Sequence, residues 1–183
     1  MLLALPLLLL AQPSLEGSAH EFIEISGIAL AFVCIAGRMW SILYVGAKKN
    51  VELVTTGPYS TTRNPLYFFS TIGAVGIGLM YGSLLVALLL GLGAYAVLRV
   101  TATKEAEYLR TMFGPSYEAY ARRTPMFWPK FALYEDTQEV IFSPKALRRT
   151  LLDALPFVAV FPVIETIEYL QETGVLPVLF RLF

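Results

Sequence analysis

Long apolar runs broken by short polar stretches organise this chain. Residues 1–11 (MLLALPLLLLA) are apolar but short. They show no clear basic leader or small-residue cleavage site of a secretory signal and are expected to form a short or re-entrant membrane helix, with a cleaved signal as the lesser alternative. Pro13, Ser14, Gly17 and Ser18 then mark a turn. Residues 22–46 are the first full span: at about 1.5 Å per residue they cross a hydrocarbon core about 30 Å thick. Lys48 and Lys49 close it, and residues 50–63 are polar. Asn64-Pro65 reads as a helix start, the Asn side chain capping free N–H groups and Pro fitting the first helical position. Two apolar runs, 65–80 and 84–99, are joined only by Tyr81-Gly82-Ser83 and must form an antiparallel helical hairpin. Ser70, Ala74 and Gly78 fall four apart, as do Ala87 and Gly91, and such small-residue rows let helices approach closely in lipid. Charges appear over 100–123, and Pro125 and Pro129 break the chain. Residues 130–149 are polar and end in a basic run, residues 150–171 form another span, and residues 175–183 are apolar but too short to cross.

Composition agrees with lipid as the solvent. Hydrophobic residues make up 56% and charged residues 15% of the chain, against about 45–50% and 25% in soluble domains. Mean hydropathy is +0.62. The expected fold is therefore all-α: a polytopic integral membrane protein with four to five membrane helices, the hairpin over 65–99 among them. A single membrane domain over 1–183 is expected, with a core at 27–130 and an extension at 131–183 that adds a further membrane helix. The net charge of zero gives no sign of a nucleic-acid partner. Cys34, the lone cysteine, falls in an apolar run and reads as a small packing residue. His20, the lone histidine, has no cluster with which to share a metal, so no metal site is expected.

Charge also orients the chain. Lys48, Lys49, Arg63, Arg99, Lys104, Arg110, Arg122, Arg123, Lys130, Lys145, Arg148 and Arg149 all fall on one side of this topology. The opposite loops, around residues 16–24 and 81–83, hold no Lys or Arg. By the positive-inside rule the basic side is the cytoplasm.

Two polar segments flank the hairpin, and its closure brings them to the same face. The first, 53–67, contains a Gly57-Pro58 turn and the helix start at Asn64-Pro65. Free N–H groups at a helix start attract an anion. Arg63 adds a positive charge, and Tyr59 and Tyr67 offer flat faces. An anionic ligand with an aromatic part fits there, and so does a plain interfacial anchor of Tyr and Arg. In the second segment, 104–120, helical geometry puts Leu98, Ala102, Ala106, Leu109 and Phe113 on one apolar stripe. Glu105 falls about 60° from the stripe's centre, at the edge of the buried face, whereas Glu107 falls about 140° away, facing water. Arg38 is a charge inside the first span, hence a functional candidate by default. Glu165 or Glu168 of the last span is its expected partner if the pair is structural.

The ordered set resembles the isoprenylcysteine carboxyl methyltransferase family, which is related to membrane phospholipid N-methyltransferases. The residues that carry the resemblance are Gly57-Pro58-Tyr59, Arg63-Asn64-Pro65-Leu66-Tyr67, Glu105-Ala106-Glu107-Tyr108-Leu109, Phe113-Gly114-Pro115-Ser116-Tyr117-Glu118-Ala119-Tyr120 and Pro125. The resemblance implies S-adenosylmethionine as cofactor, bound on the cytoplasmic side by Leu53, Val54, Tyr59, Asn64, Tyr67 and Glu105. It implies a lipophilic or membrane-associated methyl acceptor (carboxylate, thiol or amine) that enters from the lipid, with Arg63, Arg99 and Glu105 as catalytic candidates. The location expected is a bacterial inner membrane, the site facing the cytoplasm.

Three positions depart from the family's pattern. Its His is Asn64 here, which hydrogen-bonds but carries no charge. Its second Glu is Ala106. The Arg often found four residues before the first Glu is Thr101 here, and the nearest Arg is Arg99. These departures keep two other readings open: a non-catalytic membrane binding or assembly module, and an NADPH-dependent membrane reductase of related fold.

Overall fold

The computed structural model describes residues 11–13, 17–48, 51–178 and 180–182. The helix expected over 1–11 lies almost wholly outside these residues. Ala11–Pro13 forms a short strand, β1. Helix α1 runs over Ser18–Val45, α2 over Pro58–Thr61, α3 over Pro65–Met80, α4 over Leu84–Phe113 and α5 over Pro115–Arg123. A 3-10 turn at Phe131–Leu133 precedes α6, Pro144–Ala154, and α7, Pro156–Glu172. Strand β2, Phe180–Leu182, pairs in parallel with β1, Ala11 opposite Phe180. Apart from this three-residue ladder the described fold is all-α, as the hydrophobic pattern predicts.

Among the described residues, three helices are long and apolar enough to cross a membrane: α1, α4, and α6–α7 taken together over Pro144–Gln171. The protein is an integral membrane protein. Helix α3, with 16 residues, is about 24 Å long and falls short of a full span. The expected count of four to five membrane helices therefore resolves, among the described residues, into three full spans and one short apolar helix. The last span also begins earlier than expected, at Pro144, because Ser143 caps α6 by accepting from the Ala146 N–H.

The hairpin is α3 and α4. Ser83 caps α4 by accepting from the Val86 N–H. The small-residue row on α3 divides its work. A Cβ on Gly78 would collide with the Ala87 backbone of α4, and one on Gly91 would reach Val75 at 2.6 Å. Ser70 of the same row faces α1 instead. A second set, Gly73 and Gly76, also serves the other side of α3: a Cβ on Gly73 would lie 2.6 Å from Cys34 Sγ and from the Phe157 ring. Gly27 of α1 comes so close to α3 that a Cβ would sit 2.5 Å from the Met80 nitrogen and 2.6 Å from the Gly76 oxygen. In lipid, burial of apolar surface does not drive helices together, so close van der Waals contact of this kind carries the packing. Ala31, Met80, Tyr81, Val86 and Ile164 form the buried centre.

Helix α4 has 30 residues and is about 45 Å long. Its apolar part reaches across the membrane and its charged end extends beyond. Glu105 stands where one gives way to the other.

Arg38 differs from expectation. Its Nη1 donates to Ser70 Oγ, and among the described residues no carboxylate pairs with it. Glu168 lies at the far end of the molecule, 3.9 Å from His20 Nε2. Helices α1 and α7 run antiparallel, so a residue 20 positions into α1 stands well away from one near the end of α7.

Candidate functional site

The site is built on the loop between α1 and α3. Gly57 has φ +60°, a left-handed conformation that a side chain resists. A Cβ there would also collide with the Tyr44 ring. The short α2 follows, with Ser60, Thr61 and Thr62 all buried.

What fixes this loop is the strap that follows α5. The Arg63 N–H donates to Pro125 O at 2.9 Å, the Lys130 N–H to Thr61 O at 2.9 Å, and the Gly57 N–H to Glu135 O at 2.7 Å. Thr62 Oγ1 donates to Phe127 O at 2.9 Å, and the Glu135 N–H donates to Ser60 Oγ at 3.0 Å. Buried polar groups are tolerated when so paired. Farther out, the Asp136 carboxylate accepts from the Tyr44 and Tyr134 hydroxyls, which holds its pKa below the ordinary value.

Asn64 departs from its expected role as a cap. Its side chain makes no capping bond; Nδ2 donates to Met126 O at 2.8 Å. The strap draws it off the helix end, to a carbonyl that Thr62 Oγ1 reaches only at 3.4 Å.

Two tyrosines of α5 brace the loop from below. Tyr117 OH accepts from Arg63 Nη1 at 3.1 Å, and the guanidinium also lies 5.9 Å from the Tyr117 ring centre. Tyr120 OH donates to Tyr59 O at 2.7 Å. Burial raises the Tyr120 phenol well above its ordinary pKa against the opposing pull of Arg63, so it stays a neutral donor. Tyr59 is raised likewise, by burial first and then by the nearby Tyr120, Glu105 and Tyr67.

These elements enclose a cavity of about 200 Å³. Leu53, Val54, Tyr59, Arg63, Asn64, Tyr67 and Glu105 all line it. Tyr67 OH donates to Glu105 Oε2 at 3.0 Å, joining α3 to α4 across the cavity. Glu105 is half-buried and Glu107 exposed, in line with the helical angles. Arg63 Nε is buried without a hydrogen-bond partner, so the guanidinium holds a donor in reserve.

Arg99 is not brought in. It is exposed and absent from the cavity wall. Six residues separate it from Glu105, a rotation of about 600°, which leaves it about 120° off the Glu105 face. Sequence reasoning missed Ile42 and Val45 of α1, Leu109, and Tyr120, which also line the cavity. Ile42 and Val45 are three apart at the end of a span, a spacing that could have marked them. His20 belongs to the opposite end, and among the described residues no three His, Cys, Asp or Glu side chains come together as metal ligands.

A helical membrane protein with two glutamates, an arginine and three tyrosines around a cavity where the apolar helices end is the class that fold and site define. The family profile described as phospholipid methyltransferase matches residues 24–116, and this chain belongs to that family of membrane methyltransferases. It is 34% identical over 151 residues to the nickel-cobalt-cadmium resistance protein of Alcaligenes xylosoxydans xylosoxydans, covering 82% of this chain and 69% of that protein. It is 35% identical over 150 residues to the cobalt-zinc-cadmium resistance protein of Cupriavidus metallidurans, covering 82% and 68%. It is 33% identical over 110 residues to the protein-S-isoprenylcysteine O-methyltransferase of Schizosaccharomyces pombe, covering 53% and 46%. No solved structure matches the chain.

Proposed function

We propose that this protein transfers a methyl group from S-adenosylmethionine to a lipophilic or membrane-associated acceptor at the cytoplasmic face of a bacterial inner membrane. Residues 1–183 act as one membrane domain, with 27–130 as its core. The observation that carries the reading is one cavity that unites Leu53, Val54, Tyr59, Arg63, Asn64, Tyr67 and Glu105. Among the described residues, eleven Lys and Arg residues belong to the helix ends and loops on the side of that cavity, which supports a cytoplasmic site.

The donor set fits the cofactor. S-adenosylmethionine presents an ammonium, a carboxylate, a sulfonium and an aromatic base. Glu105, oriented by Tyr67, would hold the ammonium. Arg63, braced by Tyr117 and with Nε unpartnered, would meet the carboxylate through charge-assisted bonds. Tyr59, Leu53 and Val54 supply flat and apolar surface for the base. When bound, the cofactor supplies a methyl group already activated for attack. With an acceptor held in line by the cavity residues, the cofactor would supply that methyl group to the acceptor's lone pair, the sulfur keeping the electron pair of the carbon–sulfur bond. A carboxylate acceptor is ionised at neutral pH and needs no base, whereas a thiol must first lose its proton. The chain's contribution is to position both partners and exclude water.

Calorimetry of S-adenosylmethionine binding to the detergent-purified protein tests the reading, alongside Glu105→Ala and Tyr59→Ala. Micromolar binding that both substitutions weaken is the expected result. No binding by a folded wild type overturns it. A second reading, a binding module without turnover, draws on the anchoring of Asn64 by the Met126 carbonyl. Donor binding with no transfer to any carboxylate, thiol or amine of a broad panel would favour that module. The resistance named for two relatives would then reflect a role in metal tolerance that needs no methyl transfer.

A further inference from the structure

The Tyr67–Glu105 bond marks one level of the cavity, and a second polar pair lies beneath it. Ile42 and Val45 of α1 line the cavity. Arg38 precedes them by four and seven residues, so it continues the same helix face about 6 Å deeper than Ile42. On α3 the lining residues are Leu66 and Tyr67. Ser70 follows them by four and three, and continues that face about 5 Å below Tyr67. Arg38 Nη1 donates to Ser70 Oγ, so the two faces meet at this depth.

The pair leaves most of the cation's capacity unused. A guanidinium has five N–H donors, and among the described residues one bond, to Ser70, is formed. Ser70 donates its own proton to Leu66 O at 2.7 Å. Arg38 Nε is buried without a partner, and among the described residues no carboxylate pairs with Arg38. An unneutralised charge within a membrane span is costly. The α4 wall offers no second cation here: Thr101, one turn below Glu105, is exposed and donates to Val97 O at 3.0 Å.

We propose that Arg38 is the positioning residue for the acceptor, its guanidinium one helical turn beneath the methyl-transfer level and the carboxylate of a hydrocarbon-tailed molecule held between the two. This rests on the methyltransferase reading. The arginine lies deeper in the α1 span than the cavity wall at Ile42 and Val45, so a tail can remain among the helices or in the bilayer while the head rises to it. The charge on the acceptor supplies the partner that the protein withholds, and bidentate contact with a guanidinium fixes a planar carboxylate in orientation. A carboxylate so held needs no base before attack.

The test separates this inference from the reading beneath it. Detergent-purified protein saturated with S-adenosylhomocysteine, which has no methyl group to transfer, is titrated by calorimetry with N-acetyl-S-farnesylcysteine and its carboxamide, and with hexadecanoate and hexadecanamide. The wild type should prefer the carboxylate of at least one pair, and the preferred pair identifies the tail as isoprenoid or acyl. Arg38→Gln should erase that preference by weakening the carboxylate alone, roughly 10- to 100-fold, the range of a charged hydrogen bond. Arg38→Lys should keep part of it. S-adenosylmethionine affinity should stay the same in all three proteins. If Arg38→Gln fails to fold, Ser70→Ala should lower the carboxylate preference in the same direction by a smaller factor. Equal loss for acid and amide, no loss for either, or no wild-type preference in either pair overturns the role of Arg38. Absence of S-adenosylmethionine binding by the wild type overturns the methyltransferase reading itself.

Discussion

The two halves of this molecule are held together by different means. Within the membrane, α1, α3 and α4 meet through glycine and alanine, with backbone against backbone at Gly27, Gly76 and Gly78. At the polar face, the loop over 57–64 is held by hydrogen bonds to Tyr120 of α5 and to the strap over 124–136, through Tyr59, Ser60, Thr61, Thr62, Arg63 and Asn64. The first half depends on the absence of side-chain atoms, the second on specific polar atoms. A membrane scaffold can thus stay rigid by shape alone, whereas a site that meets water and a charged ligand needs directional bonds.

Adding volume to the apolar half should have the largest effect. Gly78→Val places methyl groups where the Ala87 backbone already lies and should cost about 3 kcal/mol or more. Gly93→Val meets open space and should cost far less, within about 1 kcal/mol. Thermal unfolding in detergent should therefore rank the two far apart. Equal melting points would mean that helix approach does not hold this half together.

Removing one bond from the polar half should act less strongly and more locally. Tyr120→Phe loses the 2.7 Å bond to Tyr59 O and should cost about 1–2 kcal/mol, since a buried carbonyl is left unpaired. Hydrogen exchange should quicken over 57–64 and remain unchanged in α3 and α4. Uniform quickening across the molecule would show that the two halves unfold as one.

The smallest effect concerns pH. Asp136 has a lowered pKa because Tyr44, Tyr134 and the Thr137 N–H all donate to it. Folding favours its ionised form, so its contribution is present above the ordinary carboxylate value of about 4 and is lost as pH falls through the lowered value. Exchange over 134–140 should therefore rise in acid while the membrane helices stay protected, and Asp136→Asn should remove that pH dependence. Its persistence in Asp136→Asn would assign it to another group.

The scaffold was the more legible half in the sequence. Hydropathy and short turns predicted α1, the hairpin and the last span, because each is written in contiguous residues. The edge position of Glu105 followed from helical geometry. The strap was not legible: its bonds run from side chains and N–H groups to carbonyls 60 or more residues away, and a carbonyl has no sequence signature. That is why Asn64 was read as a helix cap and not as a tie to Met126. Arg99 was named because it stands near Thr101 in the chain, but helical rotation carries it off the cavity face. Arg38 was flagged as an intramembrane charge, yet its partner was sought among carboxylates at the wrong depth, and Ser70 was counted only as a small residue.

The central claim is that the cavity between α1, α3 and α4 binds S-adenosylmethionine. Ultraviolet cross-linking of methyl-labelled S-adenosylmethionine to the detergent-solubilised protein, followed by peptide mapping, tests it most directly. Label is expected within residues 53–67 or 105–120, reduced by excess unlabelled cofactor and by Glu105→Ala. Label confined to α7 or the opposite turn at 81–83, or no competable label on folded protein, would contradict it.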